Sequence, residues 1–485
     1  MEEKQAPILN IRDLELRDNF TASEMICFGI TILFLVALSW LTNARSTLIL
    51  GYVLIISTAS MANLKIHQIV HPFIIDQFWR KVSYPLIIPI CLLLAFYING
   101  DYSNASTSMI LEEGNSYTYS TPKPFIGNNI DVINNSISFL GLVSLFCFST
   151  QLLLIPKSLY FINKLLHWGC TNALILTGIG LFYKFLNFQA PMFVKTESHY
   201  NFFAHFANDE QWGAFAILWM FTSYGLAIIE LKKAEFKFSK SIARYFFMIA
   251  LLLASTALVL KSDISAAFIA FSYAILCIKK IRFFKMLNQP IFKRLKNYTY
   301  FLLGTSISYG SYRTFKVNSE LETIQALKAT SFQMFQDSPI FGWGLDAFQK
   351  LMPYYSNSKL LDKYYETAPT GILSALIEFG SLGVLLMAGY LTYLLLRNFF
   401  LKRENSLSNN IFTGLMIVII LIFFENPFYN TAVLFSFWVL LFCALRWSKL
   451  IHNPSDQVDT KLKLVIKDHL RRVPFVLNPK KEVYK

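Results

Sequence analysis

Long apolar runs alternate with short polar segments along most of the chain. A helix that crosses a bilayer needs about 20 mostly apolar residues. Scanned at that length, the pattern predicts an all-α polytopic membrane protein with about twelve transmembrane helices. The predicted spans are residues 25–42, 47–63, 83–99, 130–155, 169–187, 211–229, 242–260, 263–278, 297–310, 371–396, 411–424 and 429–446.

The composition excludes most other classes of protein. Of the 485 residues, 54% are apolar and 15% charged, whereas an ordinary soluble domain has about 25% charged residues. The 46 Phe and 24 Tyr exclude a disordered chain, collagen and a coiled coil. The six cysteines lie within or beside apolar runs and form no CxxC pair, so they are expected to be small buried side chains.

The net charge of +14 does not indicate nucleic-acid binding, because the basic residues lie in short clusters between apolar runs. Such clustering is typical of cytoplasmic loops. With both termini cytoplasmic, 33 of the 44 Lys and Arg fall on the inner side, and residues 279–296 form the densest cluster. We therefore predict a multi-pass protein with both termini inside the cell.

This orientation divides the chain into five parts. Residues 1–24 form a cytoplasmic N-terminus without a cleavable signal, and residues 25–310 hold the first nine spans. Residues 311–370 form one large outer loop, followed by three spans over 371–446 and a basic cytoplasmic tail over 447–485. Long loops without low-complexity sequence are usually functional, so any chemistry is expected on the outer face.

The outer loop is predicted to contain short surface helices and a tight turn. Helical spacing of Leu327, Met334 and Phe335 predicts an amphipathic helix on the membrane surface. Pro339 ends that helix, and Gly342 and Gly344 allow a turn around Trp343. Further on, Thr367 and Pro369 are typical of the first turn of a helix.

Four ordered motifs carry a resemblance to a known family. The turn has the pattern P-x-x-G-x-G-x-x-x-F, and the start of the tenth span carries Ala368, Leu373, Glu378, Gly380 and Gly383 in register. Residues 206–210 and 425–431 add two more motifs. Together they resemble the O-antigen ligase and O-antigen polymerase family of bacterial inner-membrane proteins. The supporting residues are Pro339, Gly342, Gly344, Phe348, Ala368, Leu373, Glu378, Gly380, Gly383, Phe206, Asn208, Glu210, Glu425, Asn426 and Asn430.

The resemblance implies a metal-independent, cofactor-free transferase at the periplasmic face of the bacterial inner membrane. Such an enzyme transfers or polymerises oligosaccharide from an undecaprenyl diphosphate carrier onto an acceptor hydroxyl, during lipopolysaccharide and other surface polysaccharide biosynthesis. The implied partners are the lipid-linked oligosaccharide, a glycan or lipid acceptor and membrane lipids, without nucleic acid.

The chain also departs from the family pattern. Pro369 and Thr370 stand where the family has histidine and asparagine, Ser265 stands at an arginine position, and residues 322–328 contain no arginine. A divergent enzyme and a non-catalytic member that binds the carrier lipid therefore both remain open. A glycolipid flippase or transporter is the third alternative, although most charges lie at span ends rather than in span middles.

A departing diphosphate needs cations and an acceptor hydroxyl needs a base. The catalytic candidates are Arg313, Lys328, Glu366, His199 and His205. The substrate-binding candidates are Lys316, Lys261, Asp263, Trp343 and Glu378. Most of them also have a structural alternative: snorkelling cations, a solvated helix face, polar loop histidines, a local Lys–Asp pair, an interfacial aromatic belt and helix packing by Glu378. No metal site is expected, because the two histidines are six residues apart.

Overall fold

Helices form the regular structure of the protein in its computed structural model, which describes residues 21–41, 46–68, 73–99, 129–188, 202–234, 241–287, 290–316, 321–344, 347–355, 367–400 and 406–452. Within these ranges the β-structure is limited to an isolated bridge between Phe203 and Phe206. The helices are α1 Ala22–Trp40, α2 Thr47–Ser60, α3 Ala62–Gln68, α4 Ile74–Asn99, α5 Asn129–Leu154, α6 Leu159–Phe185, α7 Asp209–Lys233, α8 Ala243–Ser255, α9 Asp263–Leu287, α10 Pro290–Lys316, α11 Leu321–Asp337, α12 Ala347–Tyr355, α13 Gly371–Phe400, α14 Ser406–Leu421 and α15 Thr431–His452.

Eight of the described segments are long and apolar enough to cross a membrane, which supports a helical polytopic membrane protein. They are Ala22–Trp40, Leu48–Gln68, Ile137–Leu154, Leu159–Phe185, Asp209–Lys233, Asp263–Ile281, Gly371–Leu396 and Thr431–Ile451. Two shorter apolar helices, Ala243–Leu258 and Ser406–Leu421, match two more predicted spans. The predicted spans 83–99 and 297–310 lie within α4 and α10. The count of twelve crossings stays a prediction.

Two segments that were expected to be polar connections are largely helical. In residues 64–82, α4 begins at Ile74 because Ile74, Phe78 and Val82 recur every four residues and are all buried. In residues 156–168, α6 begins at Leu159, after Ser158 accepts a hydrogen bond from the Phe161 N–H. An apolar repeat favours the first start and a side-chain cap favours the second, and the few charged side chains in each segment did not prevent helix formation.

Helix α7 is the central element, since 94% of its most apolar window is buried. It packs against α6, α8, α9, α14 and α15. A helix surrounded on every side must be apolar around its whole circumference, and the run from Trp212 to Ile229 meets that demand. The polar N-terminus of α7 consequently lies among the ends of its neighbours.

A second, smaller apolar core lies beside the main bundle, between α11, α12 and the first half of α13. Its buried members include Leu327, Met334, Trp343, Phe348 and Ile377. Two helices, α11 and α12, thus lie within residues 311–370, and their position on the membrane surface stays a prediction. The preceding helix α10 continues to Lys316, six residues past the predicted end at 310.

Candidate functional site

Arg313 lies near the C-terminal end of α10 and holds the turn between α8 and α9. Its Nε is 2.5 Å from Asp263 Oδ1, while Nη2 donates to the carbonyl oxygens of Leu260 at 2.8 Å and Lys261 at 3.1 Å. Nη1 donates to the Tyr309 hydroxyl at 3.2 Å. A guanidinium has five N–H donors, and these contacts occupy most of them. The arginine is 8% exposed.

Asp209 stands in the first turn of α7 and connects two neighbouring segments. Its Oδ2 accepts from the backbone N–H of Lys261 at 2.5 Å, and its Oδ1 is 3.9 Å from Lys184 Nζ at the end of α6. A carboxylate is favoured at a helix N-terminus by the helix dipole. Asp209 therefore anchors the Arg313-bound turn to the start of the central helix.

Glu425 follows α14 and receives three hydrogen bonds from the start of α9. Its Oε1 accepts from Ser262 Oγ at 2.5 Å and from the Ser265 N–H at 3.1 Å, and its Oε2 accepts from Ser265 Oγ at 2.5 Å. Glu425 is 2% exposed. Burial, and next the like charge of Glu210, raise the pKa of Glu425 to about 8, although the three donors oppose this shift.

Glu210 completes a group of three carboxylates at the N-terminus of α7. Its carboxylate accepts from the backbone N–H of Asn426 and interacts electrostatically with Glu425. Two neighbouring carboxylates in a buried setting hold one proton between them more readily than two negative charges. We call Asp209, Glu210 and Glu425, with Ser262 and Ser265, the carboxylate site.

The start of α13 is hydrogen-bonded to the backbone of the carboxylate site. The Gly371 N–H donates to the Glu425 carbonyl oxygen at 2.9 Å, and Asn430 Nδ2 donates to Gln211 Oε1 at 3.0 Å. Pro369 and Thr370 thus lie directly before a helix that begins at the carboxylate site. The site lies where the ends of α7, α9, α13, α14 and α15 meet.

A break in α13 accommodates the turn after α11. Gly380 has φ 65° and ψ −179°, which interrupts the helical hydrogen bonds. The N–H groups of Trp343 and Gly344 donate to the carbonyl oxygens of Ile377 at 2.7 Å and Glu378 at 3.0 Å. In the opposite direction, the backbone N–H of Ser381 donates to the Pro339 carbonyl oxygen at 2.8 Å. The N–H of Leu382 donates to the Ile340 carbonyl oxygen at 3.2 Å. The two glycine motifs therefore meet backbone to backbone.

The predicted site residues are distributed over several places. Arg313, Asp263 and the backbone of Lys261 meet at one turn. Lys316 is exposed at the end of α10, and Lys328 is partly buried on α11. His199 and Glu366 lie outside the described residues. No described contact joins Lys328 to Arg313, so their joint action on a diphosphate stays a prediction.

Three other candidates are buried. His205 is 6% exposed, stacks on Trp40 at 5.5 Å and meets the edge of Tyr183 at 6.2 Å, and burial lowers its pKa. Trp343 is 5% exposed and donates from Nε1 to the Met334 carbonyl oxygen at 2.7 Å. Sugar stacking on Trp343 would require the second core to open. Glu378 is buried one helical turn from Ser374, whose hydroxyl donates to it at 3.3 Å.

Lys184 belongs to no pattern in the sequence, and Asp209, Glu210 and Glu425 occur there only as parts of motifs. The signal for the two glutamates was present in those motifs, because acidic residues at the membrane end of a span are expensive to bury. What the sequence lacked was a reason to bring residues 210, 262 and 425 together. Among the described side chains, no three His, Cys, Asp or Glu residues are arranged to hold a metal ion.

Comparison with known proteins finds no matching family and no matching curated protein.

Proposed function

We propose that this protein is a membrane glycosyltransferase of the O-antigen ligase or polymerase kind. It would transfer or polymerise oligosaccharide from a polyprenyl diphosphate carrier onto an acceptor hydroxyl at the periplasmic face of the bacterial inner membrane. The observation that carries the proposal is the carboxylate site. It joins two segments that carry the resemblance, residues 206–210 and 425–431, to a third, residues 261–265, in which the chain departs from the family pattern at Ser265.

The Glu210–Glu425 pair is the proposed acid–base group. The oxygen of the acceptor hydroxyl attacks the anomeric carbon of the donor sugar, and its proton passes to a carboxylate of the pair. The bond between that carbon and the phosphate oxygen breaks, and its electron pair leaves with the diphosphate. A base is most effective when its pKa is near the working pH, and the pKa of about 8 for Glu425 meets this condition.

Cations near the pair would stabilise the departing diphosphate. Lys184 and Lys261 both interact electrostatically with Asp209, and the Lys261 side chain is exposed. Arg313 would help to stabilise the charge of the diphosphate by holding the turn that carries Lys261. The contacts described above use four of its five N–H donors, and the fifth could donate to a phosphate oxygen. Lys316, on the same end of α10, would meet the solvated part of the glycan.

The Gly380 break favours a transferase over a flippase or transporter. In many transporters, helix breaks at the membrane midplane leave backbone groups that bind the substrate or ion. Here the broken ends are occupied by the chain's own backbone, between residues 339 and 344. A non-catalytic member that binds the carrier lipid is the remaining alternative, favoured by Pro369 and Thr370.

The test is deletion of the gene, followed by electrophoresis of surface glycan and extraction of lipid-linked oligosaccharide. Single-unit chains after deletion would support a polymerase, and accumulated carrier-linked long chains would support a ligase. Complementation with Glu425→Gln should then leave the deletion phenotype uncorrected, while the variant remains in the membrane fraction. An unchanged glycan ladder together with an unchanged lipid-linked pool would exclude both activities, and full complementation by Glu425→Gln would exclude the proposed base.

A further inference from the structure

Asn426 is a buried asparagine beside the carboxylate site, and its side-chain donor is unused. The residue is 6% exposed, and its backbone N–H donates to the Glu210 carboxylate. Its side-chain nitrogen, Nδ2, is buried but forms no hydrogen bond within the described part of the chain. A buried amide in this condition has lost its hydrogen bonds to water and gained none from the protein. Buried donors are nearly always paired in folded proteins, so this one requires an explanation.

Asn430, at the other end of the short 3-10 helix Pro427–Tyr429, shows how a structural asparagine is held in this segment. It is also 6% exposed. Its Nδ2 donates to Gln211 Oε1 at 3.0 Å, and its Oδ1 accepts from the Ala432 N–H at 2.8 Å. Both ends of that amide therefore hold the start of α15 against α7. Asn426 has the same burial without such contacts for its Nδ2, so packing does not account for the amide.

Asp209 supplies an unused acceptor at the same site. It is 2% exposed, and its Oδ1 accepts no hydrogen bond from the described residues, since Lys184 Nζ is 3.9 Å away. Asp209 and Asn426 both adjoin Glu210, one through the chain and the other through its backbone N–H. Glu210 is more exposed than Glu425, so a ligand that enters beside Glu210 approaches both groups. A hydroxyl can accept from an amide and donate to a carboxylate.

The ionisable side chains that adjoin Asn426 in the described structure are acidic, which favours an uncharged ligand. Glu210 accepts from its backbone, Glu425 precedes it in the chain, and the two carboxylates interact electrostatically. The cations described near the site face other carboxylates, namely Lys184 and Lys261 at Asp209 and Arg313 at Asp263. An anionic sugar would be repelled by the Glu210–Glu425 pair, whereas a neutral hydroxyl would not.

We propose that Asn426 Nδ2 donates a hydrogen bond to a hydroxyl of the acceptor sugar, and that this sugar is uncharged. The inference rests on the proposed function, to which it adds a substrate-binding residue and a class of acceptor. The bound hydroxyl is a neighbour of the one that attacks. By fixing the sugar at this hydroxyl, Asn426 places the attacking oxygen beside the Glu210–Glu425 pair, which takes its proton.

The first measurement compares the two asparagines by thermal unfolding of the full-length protein in detergent. Asn430→Ala loses two hydrogen bonds and leaves Gln211 and the Ala432 N–H unpaired, whereas Asn426→Ala removes a donor that is not in use. The Tm of Asn430→Ala should therefore lie about 3 °C or more below that of Asn426→Ala. Equal losses of Tm in the two variants would show that the Asn426 amide is structural and would overturn the proposal.

The second measurement follows surface glycan after the gene is induced in the deletion strain, with the amount of membrane protein measured by immunoblot. Asn426→Ala and Asn426→Asp should each slow the appearance of glycan about tenfold, the effect of one lost hydrogen bond. The aspartate variant keeps the size of the side chain and removes the donor, so it serves if the alanine variant fails to fold. Normal rates in the variants would refute the role of Asn426 alone. Unchanged glycan after deletion of the gene would refute the transferase function itself.

The class of acceptor is tested by linkage analysis of the isolated glycan by NMR. The linkage that is present in the wild-type strain and absent from the deletion strain is the one that the protein forms. We expect a neutral sugar on its acceptor side. A uronic acid or another acidic sugar at that position would overturn the assignment of an uncharged acceptor.

Discussion

Gly342 and Gly380 lie against each other, although 38 residues separate them in the chain. A Cβ added to Gly342 would lie 2.5 Å from the Gly380 nitrogen, and one added to Gly380 would overlap the Ile340 carbonyl oxygen. Both residues have positive φ, at 72° and 65°, a region that side chains disfavour. The contact explains why two glycine motifs occur in this order. One motif makes the turn and the other opens α13 to receive it.

Replacing Gly380 by alanine should destabilise the protein by about 2 kcal/mol or more, because the Cβ is strained by positive φ and displaces the inserted turn. Gly389→Ala is the matched control on the same helix, since nothing lies within 4 Å of its Cβ position. Thermal unfolding in detergent provides the measurement. We expect a clear drop in Tm for Gly380→Ala and none for Gly389→Ala. Equal Tm values for both variants would contradict the inserted turn.

Stability should fall as the pH rises from about 4.5 to about 8. Glu425 has a folded-state pKa of about 8 against 4.5 for an ordinary glutamate. Within this window the unfolded state has lost the proton that the folded state keeps, so increasing pH favours unfolding. His205 acts in the other direction at lower pH, because burial lowers its pKa below 6.5 and protonation then destabilises the fold.

Between pH 6.5 and 8, the effect of Glu425 on stability can therefore be measured without a contribution from His205. Denaturation midpoints measured across it should decrease with pH in the wild-type protein and remain nearly constant in Glu425→Gln. Glutamine retains an oxygen that accepts from Ser262 or Ser265, so the variant should still fold. If the midpoint of Glu425→Gln declines as steeply as that of the wild type, the proton is held elsewhere.

Arg313→Ala should unfold the turn between α8 and α9 at lower temperature and abolish glycan transfer, with the protein still in the membrane. It removes the ion pair with Asp263 and two carbonyl contacts, and breaking a buried pair costs on the order of 3 kcal/mol. Arg313→Lys should rescue only part of this loss, because an ammonium lacks the planar fork of donors. Thr314→Ala, at the next and exposed position, serves as the stability control.

A double-mutant cycle on Arg313 and Asp263 measures their interaction directly. Unfolding of the two single alanine variants and of the double variant should show a favourable coupling energy of about 1 kcal/mol or more. Additive losses would mean that the two side chains act independently. Normal surface glycan in Arg313→Ala would remove the arginine from the mechanism, whatever its effect on stability.

The predicted orientation can be tested by labelling introduced cysteines with a membrane-impermeant thiol reagent. Gln333→Cys on α11 should react in intact spheroplasts, whereas Arg244→Cys at the start of α8 should react only after permeabilisation. Both positions are exposed. The native cysteines that the structure describes are buried or partly buried, so their background should be low. Reaction of Gln333→Cys only after permeabilisation would invert the topology.

The sequence by itself determined the helical membrane architecture and the local character of its segments. Apolar runs of spanning length are read directly from neighbouring residues, because a helix in a bilayer satisfies its own backbone hydrogen bonds. The end of α11 before Pro339 and the turn at Gly342 and Gly344 depend on local backbone geometry in the same way. Helices α4 and α6 begin before the predicted spans 83–99 and 169–187, because an apolar repeat and a side-chain cap continue them into segments that also carry charges.

The tertiary structure decided which distant residues share a site. Glu425 meets Ser262 and Ser265 across about 160 positions, and no local rule of spacing relates them. Burial was decided in the same way: Trp343 and His205 could each have faced the membrane interface or a cavity, and only the packing of α11 and α1 encloses them. Periodicity reports which face of a helix is apolar, whereas the identity of the partner depends on how all the helices pack together.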